Sequence, residues 1–251
     1  MLILALDTSS AGGSAAIVRD GAVLLERSGD ESRTHGERLP HELMTLLDEA
    51  RIALTDVDRF AVAVGPGSFT GLRVGIATIQ GLAAARRKLV TPVSTFEALA
   101  FAAPDTRPAT SDTRSLAPDP RHPAPSAIAP WLDAHRGEVF ATLLAPDGRT
   151  ALAPPSALTP AATLAAWRPL LGPQPRVRFA GDGAVRYRQA IEAELGDRAA
   201  VDAATPALAA AIGLIAWNAP DRAVAPHAIM PVYVRRPDAE LARERRQSAK
   251  P

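Results

Sequence analysis

Two stretches of this chain share one outline, and that repetition limits the fold more than any other feature. "LALDTSSAGGSAAIVRDGAVLL" (residues 4–25) reads as strand, polar turn, strand, Asp-Gly turn and strand. "PWLDAHRGEVFATLLAPDGRTAL" (130–152) repeats the outline, with Asp133 in the place of Asp7 and Asp147-Gly148 in that of Asp20-Gly21. Later in each half, "VAVGPGS" (62–68) and "RFAGDGA" (178–184) combine a strand, a Gly-x-Gly turn and the start of a helix. Two matches in the same order predict a duplicated βββαβα unit, hence an α/β chain of two lobes. Hairpins with Asp-Gly turns are common, which leaves coincidence as the alternative.

Helical periodicity fills in the rest of the first unit. In "HGERLPHELMTLLDEARI", Leu39, Leu43, Leu46, Leu47 and Ala50 recur at helical spacing with charged residues between them. Pro40 fits such a helix only in its first turn, where a missing N–H costs nothing. A second helix is predicted from about Thr70 to Ala85, closed by the cations of "ARRKL". These features divide the chain into a lobe over 1–102 and a second lobe over 128–235, with a helix near 206–218 that packs back on the first. Between the lobes, 103–127 is rich in proline and poor in large apolar residues, as in a flexible insertion. "VYVRRPDAELARERRQSAKP" begins as a short strand and ends, over 236–251, as a charged tail.

"GPGSFTGLR" (65–73) invites comparison with a phosphate loop, and its spacing fails the test. Gly65, Gly67 and Gly71 are spaced GxGxxxG, and no lysine follows until Lys88, so neither the P-loop nor the dinucleotide pattern is met. The helix beyond is more informative. Gly71, Gly75, Thr78 and Ala85 leave one face nearly bare, although glycine within a helix costs roughly 1 kcal/mol relative to alanine. Close approach of another backbone explains such a face, and the residues alone leave open whether that backbone belongs to this chain or to another.

Composition excludes several chemistries. There is no cysteine, so disulfides, thiolate metal sites and a cysteine nucleophile are out. A formal charge of +1 and 4% aromatic residues argue against direct readout of a nucleic acid. No apolar run approaches the roughly 20 residues that span a bilayer, and "MLILAL" lacks the basic flank of a signal peptide, so a cytoplasmic protein is expected. His35 and His41 stand six apart, the wrong spacing for a metal pair on one helix face, and no serine elbow is present. Asp7, followed by Thr8 and Ser9, is the one carboxylate placed to serve a cleft nucleotide, and an Asp that caps a turn is an equal reading.

Together these residues resemble the TsaB/YeaZ family of tRNA threonylcarbamoyladenosine biosynthesis proteins. The motifs are "ILALDTS", "GPGSFTGLRVGIATIQGLA", "PVSTFEALA", "DAHRGEVFA", "GDGA" and "PVYVR", in that order. The resemblance implies a two-lobed actin-like (ASKHA, ribonuclease H-like) fold, in agreement with the duplication. It also implies a non-catalytic subunit that docks on and activates a TsaD-like catalytic paralog, alongside a TsaE-like ATPase, and reaches tRNA only through that complex. A homodimer is implied when the partner is absent. No metal and no cofactor are expected, with a weak or vestigial ATP/ADP site at Asp7, Thr8 and Ser9 left open. On this reading the bare Gly71/Gly75 face is the docking surface, with Leu39, Leu43, Met44, Leu47, Leu72, Thr78 and Ile79 beside it. The rival reading is an independent actin-like ATPase or kinase that uses Asp7 and the inter-lobe cleft.

Overall fold

The computed structural model describes residues 1–102, 125–172 and 176–235. Most of the proline-rich stretch and all of the 236–251 tail lie outside the described residues.

The first unit runs β1 (Leu2–Asp7), β2 (Ser14–Arg19), β3 (Ala22–Ser28), α1 (His35–Glu49), β4 (Arg59–Gly65), α2 (Phe69–Arg86), β5 (Val90–Ser94) and α3 (Thr95–Ala102). The second runs β6 (Ala127–Asp133), β7 (Val139–Leu144), β8 (Ala151–Leu158), α4 (Pro160–Trp167), β9 (Val177–Ala180), α5 (Asp182–Arg186), α6 (Arg188–Leu195), β10 (Ala199–Val201) and α7 (Ala209–Asn218). The two sheets have strand orders β3-β2-β1-β4-β5 and β8-β7-β6-β9-β10. In each, the first three strands pair antiparallel and the remaining pairings are parallel. The duplication read from the Asp-Gly echoes is therefore present strand for strand.

β1 is apolar from Leu2 to Leu6 and entirely buried, Asp7 included, because helices cover both faces of its sheet. On one face α1 and α2 lie side by side, their leucines and isoleucines meeting Leu4, Leu6 and Val62. On the other, α7 from the second unit and α3 from the first pack with Ile3, Ala5, Val18 and Ala61, and Leu132 of β6 joins the same cluster. The lobes thus share a core through these two helices. The second lobe has its own centre at Trp131, which meets Trp167 and Phe179 edge-on, with ring centroids 5.9 and 5.3 Å away.

Two expectations need correcting. Pro40 lies in the second turn of α1, not the first. It forgoes the helical bond to the carbonyl of Gly36, and both residues are exposed, so water can serve that carbonyl. The segment Val232–Arg235 forms no strand. It crosses the lobes as a strap instead: Val232 N–H donates to Val64 O (2.7 Å), and Arg235 donates to Glu138 (2.7 Å) and to Ala134 O (3.0 Å) in the second lobe.

Candidate functional site

Each unit turns back on an aspartate at the end of its first strand, and the charge of Asp182 in the second unit reaches Asp7 in the first. Asp7 is buried, and its Oδ1 accepts the Ser9 N–H at 2.9 Å, as in an Asx turn. Burial pushes its carboxyl above the ordinary range, against the hydrogen bonds from Ser9 and the proximity of His35; the negative charge of Asp182 adds to the rise. Asp182 is raised as well, first by burial. Its Oδ1 accepts N–H bonds from Asp133 (3.0 Å) and Gly183 (2.8 Å).

The actin-like fold implies a nucleotide with its metal at the inter-lobe cleft, and the turn fits the metal poorly, although the buried Thr8 hydroxyl has no hydrogen-bond partner. The amides of Ser9 and Gly13 already donate within the turn, to Asp7 Oδ1 and Ser10 Oγ. The carbonyls of Ser10, Ala11 and Gly12 are held by His35 and Arg38. Among the described residues no three acidic or histidine side chains group as a metal site.

Gly71 and Gly75 on the bare face of α2 look inward, against the expectation that they form the docking surface, while Ala85 on the same face is exposed. A Cβ at Gly75 would sit 2.1 Å from Thr8 Oγ1, and one at Gly71 would sit 2.2 Å from Thr8 O. The backbone that approaches this face is the chain's own β1–β2 turn. Ser68 caps the helix there, its Oγ accepting the Gly71 N–H at 3.2 Å.

The apolar ridge is internal as well. Leu39, Leu43, Leu47, Leu72 and Ile79 are all buried in this chain's core, because their side of each helix is the side that faces the sheet. Of the candidate contacts, Met44 is exposed (47%), and Thr78 is partly so, with its Oγ1 bonded to Val74 O. The rest of the outward surface of the α1–α2 layer is made by residues beside Met44. Arg73, Ala77, Gly81, Ala84 and Ala85 follow one another along α2, while Gly36, Pro40, His41, Met44 and Thr45 do so along α1. A Cβ at Gly36 or Gly81 would meet nothing within 4 Å.

Arg38 escaped the sequence reading, which had no signal for a buried cation on an amphipathic helix. It is 2% exposed and reaches back from α1 to the β1–β2 turn. It donates to Glu42 (2.5 Å), Ala11 O (3.2 Å), Gly12 O and His35 Nδ1 (2.7 Å). The ring of His35 continues the contact to Ser10 O at 2.9 Å.

Two lobes of one topology define an actin-like protein. The family model described as "TsaD: tRNA N6-adenosine threonylcarbamoyltransferase" matches residues 29–165, and the chain belongs to that family, in its TsaB/YeaZ branch. It is 29% identical over 241 residues to the tRNA threonylcarbamoyladenosine biosynthesis protein TsaB of Bacillus subtilis (strain 168), with 96% of each chain covered. Against the protein of the same name from Escherichia coli (strain K12) it is 37% identical over 100 residues, 40% of this chain and 43% of that one. Among solved structures, a Pseudomonas aeruginosa protein described as similar to "peptidase YEAZ" superposes with a TM-score of 0.68 at 29% identity, covering 93% of this chain and 99% of that one.

Proposed function

We propose that the chain is a non-catalytic docking subunit in tRNA threonylcarbamoyladenosine biosynthesis, and that it activates a TsaD-like catalytic paralog through the outward face of α1 and α2. The observation that carries the reading is the composition of that face. Glycine and alanine side chains along α2 let a partner helix approach closely, and Met44 adds an adaptable apolar contact. Family likeness supports it, because the TsaD model matches a stretch that includes both helices in full. A partner built from the same two-helix layer would present a matching surface, and a second copy of this chain would do so when the paralog is absent.

The remaining roles follow from this one. Catalysis belongs to the paralog, a TsaE-like ATPase completes the assembly, and tRNA is reached through the complex. The work is cytoplasmic, and no nucleotide chemistry is assigned to the chain's own cleft. No helix among the described residues is long and apolar enough to cross a membrane. Mixing the purified chain with the purified paralog tests the reading in a sedimentation experiment. A complex of near-equal stoichiometry is expected. Absence of any complex, together with ATP turnover by the chain alone that is lost in Asp7→Ala, would replace it with the ATPase reading.

A further inference from the structure

His35 stands at a junction that docking alone does not require. It opens α1, the helix assigned to the partner, and its ring is wedged into the β1–β2 turn that leads to the cleft. One ring nitrogen meets the Arg38 guanidinium at 2.7 Å and the other meets the Ser10 carbonyl at 2.9 Å. Those partners fix the proton. A guanidinium can only donate, so Nδ1 must accept; a carbonyl can only accept, so Nε2 must carry the hydrogen. The geometry therefore holds only with a neutral ring. A second proton on Nδ1 would place an N–H against the N–H of a buried cation, at a distance where neither can turn to another acceptor without breaking the contact.

We propose that His35 is a proton-operated latch between the docking helix α1 and the Asp7–Gly13 turn, holding the helix start in its docking position while neutral and releasing it when protonated. The regulatory half of this inference rests on the docking function proposed above; the latch itself does not.

The surroundings decide the sign. Burial lowers the affinity of the ring for a proton, and the charge of Arg38 on α1 lowers it further. The Ser10 carbonyl, Asp7 on β1 and Glu42 on α1 pull the other way, and the balance lies below the ordinary value of 6.5. From the α2 side the ring meets Gly71, which carries no charge. Glu31, in the loop before α1, lies against Gly12 of the same turn. With the folded-state value depressed, the unfolded chain takes up the proton first as pH falls. The latch contributes in full above 6.5, and its contribution is lost as pH falls below that value towards the folded-state one. Arg38 closes the device, since the same guanidinium that faces His35 also holds Ala11 O and Gly12 O. Loss of that contact therefore loosens both of these carbonyls together.

The experiment follows the backbone amide resonances of Gly12 and Gly13 in the full chain between about pH 8 and about pH 5. Wild type and His35→Gln are compared, because a glutamine amide presents an acceptor and a donor whose roles do not change with pH. In wild type these resonances are expected to move through one midpoint below 6.5, shared with the His35 ring protons. In His35→Gln they are expected to stay still. Movement that persists unchanged in His35→Gln would assign the titration to Asp7 and overturn the latch, as would resonances that do not move in wild type. Affinity for the purified TsaD-like paralog, measured at the same two pH values, separates the two layers. A several-fold loss at low pH in wild type, absent in His35→Gln, is the expected result. Equal loss in both proteins removes the regulatory half. No binding at either pH overturns the docking function, and the latch then stands or falls on the resonances alone.

Discussion

Thr8 fills the space that Gly75 leaves: a Cβ on residue 75 would lie 2.1 Å from Thr8 Oγ1 and 2.9 Å from its methyl carbon. A helix residue and the turn after the first strand are fitted to each other within one chain, and the helix face that looked free in the sequence is the one already occupied. Gly75→Ala is therefore expected to destabilise the monomer by about 1–3 kcal/mol, as overpacking does. Gly75→Arg should prevent folding altogether. Urea denaturation checks both, and a Gly75→Arg protein with wild-type stability would contradict the internal fit.

The outward stripe should behave in the opposite way. Arginine at exposed helix positions gains propensity over glycine, so Gly81→Arg is expected to hold or raise monomer stability by about 0.5–1 kcal/mol. The same side chain stands where a partner helix would approach, so binding to the paralog should be lost. Thermal melting and sedimentation on one sample read the two effects, and Ala77→Arg should repeat the loss of binding.

Arg38 is expected to matter to the fold because its hydrogen bonds reach buried carbonyls. Arg38→Met keeps most of the volume but leaves Ala11 O and Gly12 O without their donor, a loss of about 1–3 kcal/mol. Glu42, which is 29% exposed, can return to solvent and adds little. Chemical denaturation at neutral pH measures the loss.

At Asp7 the expected change is a gain. Its carboxyl is raised above the ordinary 3.8 mainly by burial, so the ionised form opposes folding and stability falls as pH rises from 3.8 through the folded-state value. Asp7→Asn keeps an acceptor for the Ser9 N–H and removes the charge, so the urea midpoint at neutral pH should rise. The gain should shrink as pH falls and the wild-type carboxyl takes up its proton. A variant less stable than wild type at neutral pH would show that the charge is compensated.

Period and turn chemistry made the strands legible. The Asp-Gly echoes located β1–β3 and β6–β8, and the GxG echo located the turns that begin α2 and α5. What the pattern could not convey was direction. Leu39, Leu43 and Leu47 mark one face of α1, and Gly71 and Gly75 one face of α2, yet nothing local says whether such a face meets its own sheet or another chain. The sheet took the leucines because burial of the chain's own core has first claim on a contiguous apolar stripe. It left outward the residues that look least like contacts, Gly81 and Ala77. Arg38 and Asp182 were illegible for another reason: their partners lie 26 or more residues away in sequence, at Gly12 and Asp133.

Hydrogen–deuterium exchange of the full chain, free and saturated with the purified TsaD-like paralog, tests the central claim most directly. Protection confined to α1 and α2, His35–Glu49 and Phe69–Arg86, is the result the docking account predicts. Protection at the exposed edge strand β3 or along the 231–235 strap, with both helices unchanged, would contradict it.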